Sequence, residues 1–136
     1  MSKSSYVHEA RRWLATAADD LKAARVLQKG GMYAHACFNA QQSAEKAVKA
    51  VWYWAGHDPW GHSIQKLVQD LPSAKRTGGV KKLVEDAAAL DRFYIPTRYP
   101  NGLPDLTPSA NYLKADGTEA ISKAASLVQA CRAVIS

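Results

Sequence analysis

The chain is short of the residues that build several common kinds of site. It has two cysteines, Cys37 and Cys131, far apart and outside any CxxC or Cys/His cluster. Two isolated thiols make neither a disulfide framework nor a four-ligand zinc site, so both are expected as small core residues. No apolar run approaches the roughly 20 residues that span a bilayer. No apolar leader core precedes the first charged helical pattern. No membrane segment is therefore expected, and the expected location is the cytoplasm. No stretch alternates apolar and polar residues as a half-buried strand would, and no internal repeat is present. A carboxylate pair of the kind that holds catalytic magnesium is also missing. His57 and His62 have only Asp58 near them, so no metal and no cofactor are expected.

What is present is helical periodicity over a length of 136 residues, which suits one domain spanning residues 1–136. Over residues 5–28, Val7, Ala10, Leu14, Ala17, Leu21 and Ala24 alternate spacings of three and four. That puts them on one stripe, with Glu9, Arg12, Thr16 and Asp19 opposite. Gly30-Gly31 ends this helix. Over residues 33–55, Cys37, Ala40, Ala44, Ala47, Val51 and Trp54 form a second seam. Asn39, Gln42, Lys46, Lys49 and Tyr53 are expected as a polar stripe facing away, with Glu45 and Lys49 as an i,i+4 pair. Both seams are rich in alanine, so the two helices are expected to pack closely and nearly antiparallel.

A third helix is expected over residues 63–71 and a fourth over 80–93. A last helix is expected from Asp116, with Glu119 completing a capping box. The fold class is all-α: an up-and-down bundle of four to five helices with a long Pro-rich loop before the last. Four of the six prolines fall in that loop, at positions 96, 100, 104 and 108. So long a connection in a small domain is usually functional when ordered.

Candidate binding residues follow from chemistry. The Pro96-Thr97-Arg98-Tyr99-Pro100 segment holds Arg98 in a stiff loop, and a planar guanidinium suits a phosphate or a carboxylate. The competing reading pins Arg98 to Asp91 or Glu45. Tyr99 either stacks on a base or packs on the bundle. Gln41 and Gln42 either bond a nucleobase edge or satisfy backbone groups. Lys46 and Lys49 either bind phosphate or form an ordinary solvated face. His62 is expected to cap the third helix or orient the Arg98 loop. Trp52, Trp54 and Trp60 with Tyr53 are expected in the core or at a dimer contact. The net charge of +6 permits a polyanionic partner without requiring one. Its densest group, Lys75, Arg76, Lys81 and Lys82 around Gly78-Gly79, is either a phosphate site or a solvated loop.

Four stretches taken in order resemble the HEPN family of small helical domains. They are Ala18-Asp19-Asp20-Leu21-Lys22-Ala23-Ala24, residues 33–50 with Asn39-Ala40-Gln41-Gln42-Ser43-Ala44-Glu45-Lys46 at their centre, His62 ahead of a short helix, and Thr97-Arg98-Tyr99-Pro100. The resemblance implies a bundle that commonly dimerises and acts beside a separate minimal nucleotidyltransferase, often in a toxin–antitoxin pair. It implies nucleotide or RNA as ligand, bound at Arg98, Tyr99, His62, Gln41, Gln42, Lys46 and Lys49. RNA-cleaving members carry an arginine followed four to six residues later by a histidine. No arginine here is so placed, so a binding module without catalysis of its own is the expectation. The alternatives are a ribonuclease toxin with an atypical active site and a purely structural dimerisation or adaptor module.

Overall fold

Small residues decide how the long helices meet. In the computed structural model, which describes residues 1–72, 76–94 and 107–135, α1 (Lys3–Lys29) and α2 (Tyr33–Trp54) form the most extensive pairing. α1 buries Ala10, Ala17, Leu21 and Ala24. Ser43 on α2 comes close enough to donate its hydroxyl to the Ala17 carbonyl at 2.6 Å, an approach that larger side chains at the seam would prevent. Ser2 caps the start of α1 by accepting from the Ser5 amide, and Gly31, at a φ of 78°, turns the chain into α2.

The remaining helices are α3 (Ile64–Gln69), α4 (Gly78–Lys81), α5 (Val84–Asp91), α6 (Pro108–Asn111) and α7 (Lys114–Ile135), and no strand occurs among the described residues. α7 lies against α2 and, less extensively, α1, while α3 and α5 pack on each other. The architecture is the expected all-α bundle, built on three long helices with four short ones set between the second and the last.

Thirteen of the 22 residues of α2 are buried, more than one apolar stripe can supply. This corrects the expected outward polar stripe on α2. With α1, α7 and the α3–α5 pair all packed around it, Lys49 is buried rather than solvated. The expected fourth helix is also corrected: it breaks at Lys82 and Leu83 into α4 and α5. Residues 108–111, expected as loop, form one helical turn capped by Thr107. The last helix begins at Lys114, not Asp116. Asp116 sits in its first turn and accepts from the Leu113 amide at 2.8 Å, the acidic half of a capping box.

α1 and α7 are tied by Gln28, whose side-chain amide donates to the Lys114 carbonyl at 2.9 Å and to the Thr118 hydroxyl at 3.2 Å. A Cβ at Gly117 would collide with that amide, so glycine is what lets α7 lie so near it. Cys37 and Cys131 are buried as expected.

Candidate functional site

The polar residues of α2 follow a spacing of four. Gln41, Glu45 and Lys49 stand one turn apart, and Gln42 and Lys46 lie one residue further round. Glu45 is the hub. Its carboxylate, only 5% exposed, accepts from the Gln41 amide through Oε1 at 3.2 Å. Oε2 pairs with Lys49 Nζ at 3.2 Å and with His62 Nδ1 at 3.2 Å. Gln42 in turn donates to Gln41 Oε1 at 2.8 Å. A carboxylate stripped of water is tolerable only when such partners replace it.

This arrangement separates two kinds of residue among the expected ligands. Gln41 is fully buried and Lys49 nearly so. Both are consumed by Glu45, with Lys49 Nζ also 5.8 Å from the centre of the Trp13 ring. His62 stands differently: its side chain is 63% exposed. A carboxylate only accepts, so the shared proton sits on Nδ1, and Nε2 makes no hydrogen bond among the described residues. Tyr94 stacks on the imidazole, with ring centres 5.3 Å apart and planes 17° from parallel. Two groups thus fix one histidine.

His62 does not cap α3, which corrects that expectation. Ser63 is the cap residue, accepting from the Lys66 amide at 3.1 Å. Asp91 of α5 completes the cap: it accepts from the Ile64 amide at 2.7 Å, the Gln65 amide at 3.0 Å and the Ser63 hydroxyl at 3.1 Å. The Asp91 cap fixes the start of α3, and His62 immediately precedes it.

Lys46 is part-buried and pairs with Asp20 of α1 at 2.7 Å. It also lines a cleft beside Glu9, Arg12, Trp13 and Thr16. Arg98 and Tyr99 lie outside the described residues, as does the rest of the loop over residues 95–106 and Lys75. Lys81 and Lys82 are exposed. Among the tryptophans, Trp52 is part-buried and donates to the Leu67 carbonyl at 3.0 Å. Trp60 is 85% exposed and does not belong to the core.

Sequence reasoning missed Glu45 as the centre of the site, and with it Tyr94, Asp91 and Trp13. A signal for Glu45 was available. Ala40, Ala44 and Ala47 run along one flank of the polar line, and Ala34, Ser43 and Ala50 are buried as well. Small residues over so much of the circumference mean that α2 is covered on more than one side.

The HEPN domain family model matches residues 10–134. Among solved structures, the TT1696 protein of Thermus thermophilus is 37% identical with a TM-score of 0.84, over 93% of this chain and 98% of that one. An archaeal HEPN homologue, ST0689, is 33% identical with a TM-score of 0.78, over 94% of this chain and 98% of its own. A HEPN domain protein of Thermotoga maritima is 28% identical with a TM-score of 0.64, over 90% and 95%. No curated protein matches the chain.

Proposed function

The chain belongs to the HEPN domain family, and on that basis we propose that it is a nucleotide- or RNA-binding module. In this reading it works with a separate minimal nucleotidyltransferase, in a toxin–antitoxin pair, and as a homodimer in the cytoplasm. The bundle presents the ligand and the partner supplies the metal and the chemistry. The observation that carries the reading is His62, held through Nδ1 by buried Glu45 and stacked on Tyr94, with its outer edge open. Lys46, next to Glu45 on α2, adds a cation that Asp20 holds in place. When protonated, the imidazole donates from Nε2 as well as Nδ1, and imidazolium and ammonium groups both suit a phosphate. Gln41 and Lys49 act behind them by fixing Glu45. Arg98 and Tyr99 are included among the proposed ligands on the sequence motif alone, and Gln42 is linked to Glu45 through Gln41.

Isothermal calorimetry with ATP, GTP, CTP, UTP and a short single-stranded RNA tests this, on the wild type and on His62→Ala and Arg98→Ala. Binding of at least one ligand is expected, weakened in both variants. A ligand present at a hundred times its Kd should also add about 2.7 kcal/mol of stability. No binding with any ligand would overturn the proposal.

The same histidine favours one second reading. An imidazole oriented by a buried carboxylate and open at Nε2 is arranged as general bases are. That supports an atypical ribonuclease, although the arginine-to-histidine spacing of RNA-cleaving relatives is missing. RNA cleavage by the purified chain, lost in His62→Ala, would establish it.

A further inference from the structure

Beside Lys46, the junction of α1 and α2 opens into a cleft of about 330 Å³, lined by Glu9, Arg12, Trp13, Thr16 and Lys46. The volume falls at the lower end of the range of small-molecule sites, roughly 300–1,000 Å³. We propose that this cleft seats the base of the nucleotide and selects guanine. The inference rests on the nucleotide-binding reading above and adds to it which base is held and by which residues.

The argument starts from Glu9 and Arg12, one helical turn apart. Arg12 donates to Glu9 Oε1 at 2.6 Å, and Trp13 donates its indole N–H to Glu9 Oε2 at 3.3 Å. Each carboxylate oxygen keeps a further lone pair, and Arg12 keeps four of its five donors. Its side chain is 66% exposed. The cleft therefore sets an acceptor-only group directly beside a donor-only group. Guanine carries the complement on neighbouring atoms: N1–H and the N2 amino group donate, while O6 and N7 accept. Arginine bonding to O6 and N7 is the commonest specific contact to guanine.

Adenine offers less to the same pair. Its N6 amino group can donate to the carboxylate while N1 or N7 accepts from the guanidinium. It therefore makes one bond to each group where guanine makes two, and a site built on hydrogen bonds discriminates against a ligand that leaves them unmade. Cytosine offers the same single donor and single acceptor on a smaller ring, so it ranks with adenine.

Two more residues complete the seat. The part-buried indole of Trp13, packed by Lys49 and Tyr53 on the inner side of the helix pair, also lines the cleft, where an aromatic edge or face can meet a base. Lys46 supplies a cation for a phosphate, and the Thr16 hydroxyl, which donates to the Arg12 carbonyl at 2.9 Å, keeps its oxygen free to accept from a ribose hydroxyl. The Arg12–Glu9 pair lies at the surface, so opening it to admit a ligand costs little.

Calorimetric titration of the wild type, Arg12→Lys, Arg12→Ala and Glu9→Gln with GTP, ATP, CTP and UTP decides the matter. The wild type should bind GTP at least about tenfold more tightly than ATP. Arg12→Lys keeps the charge but not the planar fork, and it should lose most of that preference. Glu9→Gln should do the same. Thermal midpoints confirm that each variant is folded, and Arg12→Lys retains the ion pair if Arg12→Ala does not fold. Equal affinity for GTP and ATP would overturn guanine selection. A preference for GTP that survives both Arg12→Lys and Glu9→Gln would move the base out of this cleft while leaving nucleotide binding intact. Failure of every nucleotide and of RNA to bind would remove both proposals.

Discussion

Glu45 exchanges its water for Gln41, Lys49 and His62, and the exchange is asymmetric. With every partner in place, attraction and hydrogen bonding offset the loss of hydration. With one charge removed, the other remains in a poorly hydrated site with nothing to balance it. Glu45→Ala is therefore expected to destabilise the fold by about 3–5 kcal/mol. The double variant Glu45→Leu/Lys49→Met should recover most of that, because the pair is replaced by apolar groups of similar size. Urea unfolding of the three proteins measures this, and a loss below about 1 kcal/mol in Glu45→Ala would mean the site is wet. The sequence showed Glu45 and Lys49 as a pair, since a spacing of four is visible in one dimension. It did not show that the pair is buried, because that depends on Trp13 and His62 arriving from other parts of the chain.

At the scale of elements, α3 is too short to hold itself. Six residues cannot recover the cost of helix nucleation from their own hydrogen bonds. The Asp91 carboxylate supplies what is missing by accepting from the first two amides and from the cap residue. Asp91→Ala should cost about 2 kcal/mol. Hydrogen exchange should then show the Ile64 and Gln65 amides opening faster than those of α2. Unchanged protection at those amides would assign the stability of α3 to its buried face, Ile64, Leu67 and Val68, instead. The long helices were legible because their three-and-four spacing repeats over many turns. The break at Lys82 and Leu83 was not, since both halves carry the same apolar spacing. The cap from Asp91 was hidden for another reason: donor and acceptor lie more than 25 residues apart.

For the whole molecule, the two buried thiols set an alkaline limit. Burial, then the carboxylates of Asp116 and Glu119, push the Cys37 thiol up to about 12, and burial raises Cys131 as well. Unfolded thiols ionise near pH 8.5 or so. Between those values the unfolded chain has released protons that the folded chain retains, so the stability of the fold falls as pH rises. The contribution is complete below the unfolded value and is lost progressively toward about pH 12 for Cys37. The raised phenols of Tyr53 and Tyr112 act in the same direction. The urea midpoint should drop between about pH 8 and about pH 10, and drop less in Cys37→Ala/Cys131→Ala. An equal drop in both proteins would clear the thiols.

The position of α2 has a consequence for the making of the chain. α1 emerges just ahead of α2, but α7 follows about 60 residues later. At roughly 5–20 residues per second, the flank of α2 that α7 will cover stays bare for on the order of seconds. The apolar residues that α2 buries are mostly alanine, with Cys37, Val48 and Val51 the exceptions. Each alanine left uncovered exposes little apolar area for another chain to grip. The residue choice that lets the finished helices approach closely also keeps the half-made protein from sticking.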